Sequence, residues 1–214
     1  MLTARFLAIS QTDPEESVIQ QAAETLTKNG LVVAPTETRY GLLARADSRT
    51  ALERLFDAKG RDESLPTSVF VRGQEELSSF GCLSPVAQRL IDRFLPGPLT
   101  LVVCAKGTWE PQVVVNKRIG LRWSTSRVIS RILEDTDFPI TATSANLSGG
   151  RELDTAQQIA ATLGDAVELY LDAGELKGVT STVVDCSGES LRILRAGAIP
   201  ASEIAECLKD LKWK

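Results

Sequence analysis

The sequence contains no histidine, and this absence excludes several classes of enzyme mechanism at once. The Ser-His-Asp triad, the Cys-His pair and the H-E-x-x-H zinc motif each require an imidazole as base or ligand. Two phosphate-binding fingerprints are missing as well, the G-x-x-x-x-G-K-[ST] loop and the G-x-G-x-x-G turn. Any catalysis therefore depends on charge, hydrogen bonding or a metal ion, and any nucleotide is bound by other means.

Cysteine is scarce, and its spacing is not that of a zinc site or a disulfide framework. The chain has four cysteines and no C-x-x-C motif. Three of them lie in or beside apolar stretches, where free thiols usually pack as small hydrophobic groups. We therefore expect neither a structural metal nor a disulfide framework at these positions, which are Cys82, Cys104, Cys186 and Cys207.

Long apolar runs are absent too. The longest, such as residues 99–105, fall far short of the roughly 20 residues that cross a bilayer, and the N-terminus lacks the pattern of a secretion signal. The net charge of −4, from 24 basic and 28 acidic residues, argues against nonspecific nucleic-acid binding by the whole surface but leaves a local basic groove open. We expect a cytoplasmic protein without membrane contact.

The composition is that of an ordinary soluble globular protein, with 43% hydrophobic and 24% charged residues. A length of 214 residues is close to the upper end of what one hydrophobic core serves. Because no internal repeat, low-complexity tract or linker divides the chain, we expect a single domain over residues 1–214.

Segments with helical spacing alternate with short apolar runs along the chain. We predict helices that begin at Asp13, Ser48, Ser84, Val128, Asp154 and Ser202. We predict strands over residues 31–34, 67–71, 99–104, 119–122, 140–142, 167–171, 181–185 and 191–194, of which the last two form a hairpin. This order predicts an α/β fold whose largely parallel sheet is made mixed by the late hairpin, with ligands gathered where strands end in loops.

The tripeptide Lys59-Gly60-Arg61 places two cations around a glycine at the end of a predicted helix. Both cations can turn toward one polyanion, such as a triphosphate. The alternative is a helix C-terminus whose cations complement the helix dipole.

Two polar loops and two arginines follow buried strands. Residues 35–41 suit recognition of a small zwitterion, with a capped helix start as the alternative. Residues 144–150 bring small donors and backbone amides together, which suits a phosphate or a simple turn. Arg122 and Arg195 each end an apolar strand and point either into a ligand crevice or toward a surface acid.

In this order, the segments closely resemble the YrdC/TsaC family of threonylcarbamoyl-AMP synthases. The resemblance runs from the helix near Asp13 to residues 195–197. It is carried by Pro35-Thr36-Glu37-Thr38, Tyr40-Gly41-Leu42, Lys59-x-Arg61, Pro96-Gly97-Pro98-Leu99-Thr100, Arg122, Ser144-Ala145-Asn146-Leu147-Ser148-Gly149 and Ser181-Thr182-Val183-Val184-Asp185. It implies an α/β fold in which a twisted mixed sheet with flanking helices encloses a basic cavity.

The resemblance also implies a nucleotidyltransferase that condenses L-threonine, bicarbonate and ATP, with Mg²⁺, to threonylcarbamoyl-AMP and pyrophosphate. The product would serve the downstream tRNA threonylcarbamoyl transferase machinery. A carbamate formed from threonine would attack the α-phosphate, so no protein nucleophile is needed. By this resemblance, threonine would contact Thr38, Arg122, the Ala142 backbone and Ser181, and ATP would contact Lys59, Arg61, Ser144, Asn146 and Arg195. Lys59 and Arg61 are the predicted catalytic residues.

The chain departs from the family pattern at three places near the predicted site. Asp62 follows Arg61, and residues 65–67 read Leu-Pro-Thr, which removes an expected ATP contact near Leu65. Phe70 stands where the family has a histidine in its threonine pocket, and Ser126-Arg127 replaces a usual His-Pro. The chain ends soon after the core, so we expect the short bacterial form without an additional C-terminal domain.

Two other functions remain open at this stage. The first is a YciO-like paralogue of the same fold, which binds nucleotide or RNA without efficient synthase activity. The changes at Phe70 and Ser126-Arg127 favour it, whereas the intact Lys59-x-Arg61 and Ser144-x-Asn146 favour the synthase. The second is a noncatalytic module that binds tRNA or double-stranded RNA in the basic cavity. An aromatic content of only 5% speaks against base stacking by such a module.

Overall fold

The computed structural model describes residues 5–62 and 65–211 of the chain. The strands of this part are β1 (Arg5–Ala8), β2 (Val32–Pro35), β3 (Tyr40–Leu43), β4 (Ser68–Phe70), β5 (Gly81–Cys82), β6 (Leu99–Ala105), β7 (Val114–Val115), β8 (Arg118–Arg122), β9 (Ile140–Ser144), β10 (Leu169–Asp172), β11 (Thr182–Asp185) and β12 (Arg192–Arg195). The helices are α1 (Glu16–Thr27), α2 (Arg49–Lys59), α3 (Gln74–Phe80), α4 (Pro85–Phe94), α5 (Arg127–Glu134), α6 (Ala156–Leu163) and α7 (Ala201–Leu208), with a 3₁₀ turn at Gly164–Ala166. None of the helices described is long and apolar enough to cross a membrane.

The strands form one mixed sheet in the order β1-β10-β2-β3-β9-β4-β8-β6-β11-β12, with β5 paired to β6 and β7 to β8. The predicted mixed sheet and the late antiparallel hairpin are confirmed. The expectation that the sheet is largely parallel is wrong. Parallel pairing joins β10 to β1 and β2, β4 to β8, and β6 to β11, whereas the remaining pairs of the described strands are antiparallel.

The physical reason for this difference lies in β3 and β9. A tight turn at residues 36–39 folds β3 back beside β2, so these two strands are antiparallel. β9 then inserts between β3 and β4 and is antiparallel to both. The order of strands and helices along the chain does not determine which strand takes each place in the sheet.

Serine side chains cap two of the helices. The side chain of Ser48 accepts a hydrogen bond from the Ala51 N–H at the start of α2, and Ser84 does the same at the start of α4. α2 ends at Gly60, which adopts the left-handed conformation with φ of 53°. The predicted helix end at Lys59-Gly60-Arg61 is therefore confirmed, and it leaves Arg61 beyond the helix.

Three predicted helix starts are displaced by a few residues. α1 begins at Glu16 rather than Asp13, because the Glu15 carboxylate accepts from the Ser10 N–H and the preceding residues form turns. Thr155 caps α6 in place of Asp154, which instead forms an ion pair with Arg39. α7 begins at Ala201 after Pro200 rather than at Ser202. Sequence analysis did not identify β1, β3, α3, β5 and β7.

Apolar clusters cover most of the sheet, but one face of β6, β8 and β11 remains polar. Along β6, Leu101 and Val103 pack in the core, whereas Thr100 and Val102 face a cavity. The same alternation along β8 buries Ile119 and Leu121 and turns residues 118, 120 and 122 to that cavity.

Candidate active site

The polar face of the sheet bounds a cavity of about 490 Å³. Segments beside it contribute further walls, including β3, β9 and β12. Asp185 is the one carboxylate among the described residues that line it, whereas the lining arginines are Arg39, Arg61, Arg118, Arg122, Arg192 and Arg195. The basic cavity implied by the resemblance is therefore present, and its charge favours an anionic ligand.

Most of the predicted site residues come together in this cavity. Those that line it are Thr38, Arg61, Arg122, Ala142, Ser144, Ser181 and Arg195. Asn146 borders a small neighbouring hollow instead, where its amide donates to Gly150 O and its Oδ1 accepts from Ser144 Oγ. Lys59 lies outside the lining of the cavity.

Arg122 is held in place at the end of β8. Its Nη2 donates to Thr38 Oγ1 at 2.7 Å and to Glu37 Oε1 at 2.8 Å. Glu37 also accepts from Ser124 Oγ, so its carboxylate is itself fixed. The Arg122 Nε is buried and has no hydrogen-bond partner among the described residues. Leaving a buried donor of this kind unpaired is costly.

Phe70 forms the floor under Arg122. It is buried, and the Arg122 guanidinium lies 5.4 Å from the centre of its ring. Ser126, at another departure from the family pattern, caps α5 and donates to Pro35 O at 3.1 Å. Leu65, at the remaining one, is exposed at the cavity rim. Of these three residues, Leu65 lines the cavity, whereas Phe70 and Ser126 do not, and the arginines of the lining stay in place.

Ser181 and Arg195 form one unit across the β11–β12 hairpin. Arg195 Nη2 donates to both the carbonyl oxygen and Oγ of Ser181 at 2.9 Å, and that Oγ lies 3.0 Å from Thr100 Oγ1. Burial lowers the pKa of the Arg195 guanidinium, and the nearby charge of Arg122 lowers it further. Burial, followed by the charge of Arg195, likewise lowers the pKa of Arg61. An anion between these groups would relieve their mutual repulsion.

Lys59 ties the end of α2 to the loop after β9. Its side chain is buried, and Nζ donates to the carbonyl oxygens of Ser144 and Asn146, the latter at 2.7 Å. Burial, with the charge of Arg61, lowers the pKa of Lys59 to about 7. In this geometry Lys59 positions the loop that carries Ser144, and its predicted direct contact with ATP stays a prediction.

We expect the Lys59→Met variant to lose a pH dependence of stability that the parent chain has. The pKa of Lys59 falls from 10.5 to about 7 on folding. Above pH 7 the unfolded chain therefore binds more protons than the folded chain, and the free energy of unfolding rises with pH. Urea unfolding should show a rise of up to about 2 kcal/mol between pH 7 and 8.5, relative to the variant. Below pH 7 both states are protonated, and the two profiles should run parallel.

The matched control is Lys28→Met, at an exposed lysine after α1. Its stability profile should parallel that of the parent chain throughout. If the stability profile of Lys59→Met also parallels that of the parent chain, Lys59 stays charged in the folded chain between pH 7 and 8.5.

Sequence analysis missed a cluster at the other end of the cavity. Asp185 accepts from Arg192 Nη2 at 2.8 Å and forms an ion pair with Arg118 at 3.4 Å. Burial alone would raise the pKa of Asp185, but hydrogen bonds from Ser187 and Arg192, with the charge of Arg118, hold it below its ordinary value. Arg118 could have been predicted from the sequence, because it lies an even number of residues from Arg122 in β8 and therefore on the same face of the sheet.

The chain was compared with known protein families and structures. A Sua5/YciO/YrdC family model, described as telomere recombination, matches residues 24–197. A threonylcarbamoyl-AMP synthase of Pyrococcus abyssi is 34% identical over 202 residues, which cover 92% of this chain and 59% of the synthase. The chain thus spans little more than half the length of that relative.

Two solved structures have the same fold. P. abyssi Sua5 complexed with L-threonine superimposes with a TM-score of 0.87 and 31% identity, over 96% of this chain and 61% of Sua5. Escherichia coli YciO gives a TM-score of 0.87 at 24% identity, over 94% of this chain and all of YciO, and this likeness shows the fold alone. Because the family model covers residues 24–197 and the P. abyssi synthase is 34% identical, the chain belongs to the Sua5/YciO/YrdC family.

Proposed function

We propose that this chain is an L-threonylcarbamoyladenylate synthase, which condenses L-threonine, bicarbonate and ATP to threonylcarbamoyl-AMP and pyrophosphate. The observation that carries the proposal is the guanidinium of Arg122, fixed by Thr38 and Glu37, in the same cavity as Arg61 and Arg195. One carboxylate and one polyphosphate match this arrangement of cations. The complex of the P. abyssi relative with L-threonine supports the amino acid.

Threonine would bind at the Arg122 end of the cavity. Its carboxylate would pair with Arg122, and its polar groups would meet Thr38 Oγ1, Ser181 Oγ and the Ala142 backbone. The amine would react with bicarbonate and lose water to give a carbamate. Bound in this way, the carbamate oxygen is presented to the nucleotide at a high effective concentration.

ATP would lie against Arg61, Ser144 and Arg195, with Asn146 and Lys59 holding the loop that contains Ser144. The carbamate oxygen attacks the α-phosphorus, the bond to the β-phosphate oxygen breaks, and pyrophosphate leaves. Arginines stabilise the charge on the transferred and leaving groups, and no protein nucleophile takes part.

Mg²⁺ is expected as part of the MgATP substrate. The part of the chain that the structure describes has no cluster of three acidic, cysteine or histidine side chains that could hold a metal ion. Phosphate oxygens and water are the usual ligands of Mg²⁺ in such complexes. The ion would therefore enter and leave with the nucleotide and pyrophosphate.

The test is pyrophosphate release from MgATP by the purified chain, with each of threonine and bicarbonate omitted in turn and serine as the comparison amino acid. We expect release to require both cosubstrates and to be faster with threonine. Release that ignores threonine would contradict the synthase.

The YciO-like alternative is favoured by one observation, the apolar ring of Phe70 beneath Arg122. It predicts that nucleotide raises the melting temperature while pyrophosphate release stays at background. A third outcome, RNA binding that weakens steeply with salt and no release, would favour the RNA-binding module.

The chemistry of the product suggests the downstream partner of the protein and its cellular compartment. Threonylcarbamoyl-AMP is a mixed anhydride and would pass to a tRNA threonylcarbamoyl transferase. Because its substrates and tRNA occur together in the cytoplasm, we place the enzyme there.

A further inference from the structure

Two of the four cysteines face each other on neighbouring strands. Cys82 of β5 pairs directly with Cys104 of β6 in antiparallel register. The Lys106 N–H donates to Phe80 O at 2.8 Å. Phe80 lies two residues before Cys82 and Lys106 lies two residues after Cys104, so these two residues are a hydrogen-bonded pair of the same ladder. Because hydrogen-bonded pairs recur at every second residue, Cys82 and Cys104 are such a pair, with Cα atoms about 5.5 Å apart. Disulfides form at this separation.

Both side chains lie on the face of the sheet that bounds the cavity. Val103 packs in the core and Val102 lines the cavity, so Cys104 belongs to the cavity face of β6. A Cβ on Gly81 would meet Val103 Cγ2, which lies on the core face. The side chain of the next residue, Cys82, therefore points to the same face as that of Cys104.

The Cys104 thiol is also directed to the correct edge of β6. β8 occupies one edge of β6, so β5 and β11 share the other. Cys104 Sγ donates to Ser187 O, just after β11, at 3.3 Å. Its sulfur therefore leans toward the edge where Cys82 lies. Cys82 is exposed, whereas Cys104 is partly buried.

We propose that Cys82 and Cys104 form a reversible intramolecular disulfide when the protein meets a low-molecular-weight disulfide. The exposed Cys82 thiolate attacks one sulfur of this oxidant, the oxidant S–S bond breaks, and one thiolate leaves. The Cys104 thiolate then attacks the Cys82 sulfur of the mixed disulfide and expels the second thiolate. Two protein thiols are oxidised, the oxidant is reduced to two thiols, and these take up the two protons.

This site adjoins the arginine cluster at one end of the cavity. Cys104 pairs with Arg118 on the other edge of β6. Ser187, whose carbonyl accepts the Cys104 thiol, donates through its N–H and Oγ to Asp185. The disulfide replaces the thiol hydrogen bond to Ser187. Oxidation of the pair therefore changes a contact of the residue that donates to Asp185 in the wall of the cavity.

The test oxidises the reduced chain with oxidised glutathione, caps the remaining thiols with N-ethylmaleimide after unfolding in urea, because Cys186 is buried, and measures the intact mass and the linked peptides. We expect the loss of two hydrogen atoms, caps at Cys186 and Cys207 only, and one peptide pair joined through Cys82 and Cys104. Dithiothreitol should restore all four thiols. This readout does not depend on enzymatic activity, so it stands apart from the proposed function.

Variants separate the two steps of the exchange. Cys104→Ser should stop at a stable glutathione adduct on Cys82, and the matched control Cys207→Ser should form the cross-link as the parent does. A stable glutathione adduct on Cys82 in the parent chain, or a cross-link between any other pair, would overturn the proposal. If Cys104→Ser fails to fold, the peptide map of the parent chain decides alone.

Discussion

Threonine-dependent pyrophosphate release is expected to fall by at least about 30-fold in the Arg122→Met variant. Arg122 donates to Thr38 and Glu37 and lines the cavity. Removing a cation that faces a buried anion costs about 2–5 kcal/mol, because the anion is left unpaired. The loss should appear in kcat/KM for threonine at saturating MgATP.

The loss of Arg122 also leaves the Glu37 carboxylate without its cation, so the single variant should unfold at a lower temperature. The double variant Arg122→Met with Glu37→Gln should recover most of that stability and none of the activity. Arg127→Met is the matched control, because Arg127 begins the helix after the same strand and donates to Thr12 O at the surface. If the double variant regains activity, Arg122 is a structural residue.

The Gly178→Ala variant is expected to raise the KM for threonine by at least about tenfold, at a stability cost of about 1–3 kcal/mol. A Cβ at Gly178 would lie 2.1 Å from Thr38 O and 2.9 Å from the Thr38 carbonyl carbon. Either segment must move, and Thr38 is the residue whose hydroxyl accepts from Arg122. Steady-state kinetics with varied threonine measure the effect.

Gly188→Ala is the matched control, because its nearest neighbour, Ser190 O, lies 4.0 Å from the added Cβ. That variant should keep the parental KM and melting temperature. An unchanged threonine KM in Gly178→Ala, with a folded chain, would show that Thr38 tolerates displacement and does not contact the amino acid.

Local signals in the sequence predict most of the helices, although α3 was missed. Ser48 and Ser84 accept the hydrogen bonds that their positions before apolar-periodic segments predict. Sheet order lacks such a signal, because the insertion of β9 between β3 and β4 depends on contacts between residues about 75–100 positions apart. β3 was missed because Tyr40, Gly41 and Leu42 follow a polar turn and were interpreted as part of a loop.

The residues of the site were also predicted from the sequence only in part. The two-residue period of β8 places Arg122 in the cavity, and the same period also contains Arg118. The sequence has no signal for the direction of the Lys59 side chain. Its Nζ is satisfied by two carbonyl oxygens of a loop some 85 residues away, a contact that only the folded chain defines.

The interleaved strand order determines when the cavity can form during folding. β10 lies between β1 and β2, and β11 closes the edge of β6. The pairings of β10 with β1 and β2, and of β11 with β6, therefore each close a long loop of chain before they gain contacts, which is a property of slowly folding proteins. Arg195 comes from β12, the last of the described strands. On a ribosome, the first 180 residues would emerge before β11 and β12, so the cavity stays incomplete until these two strands are made.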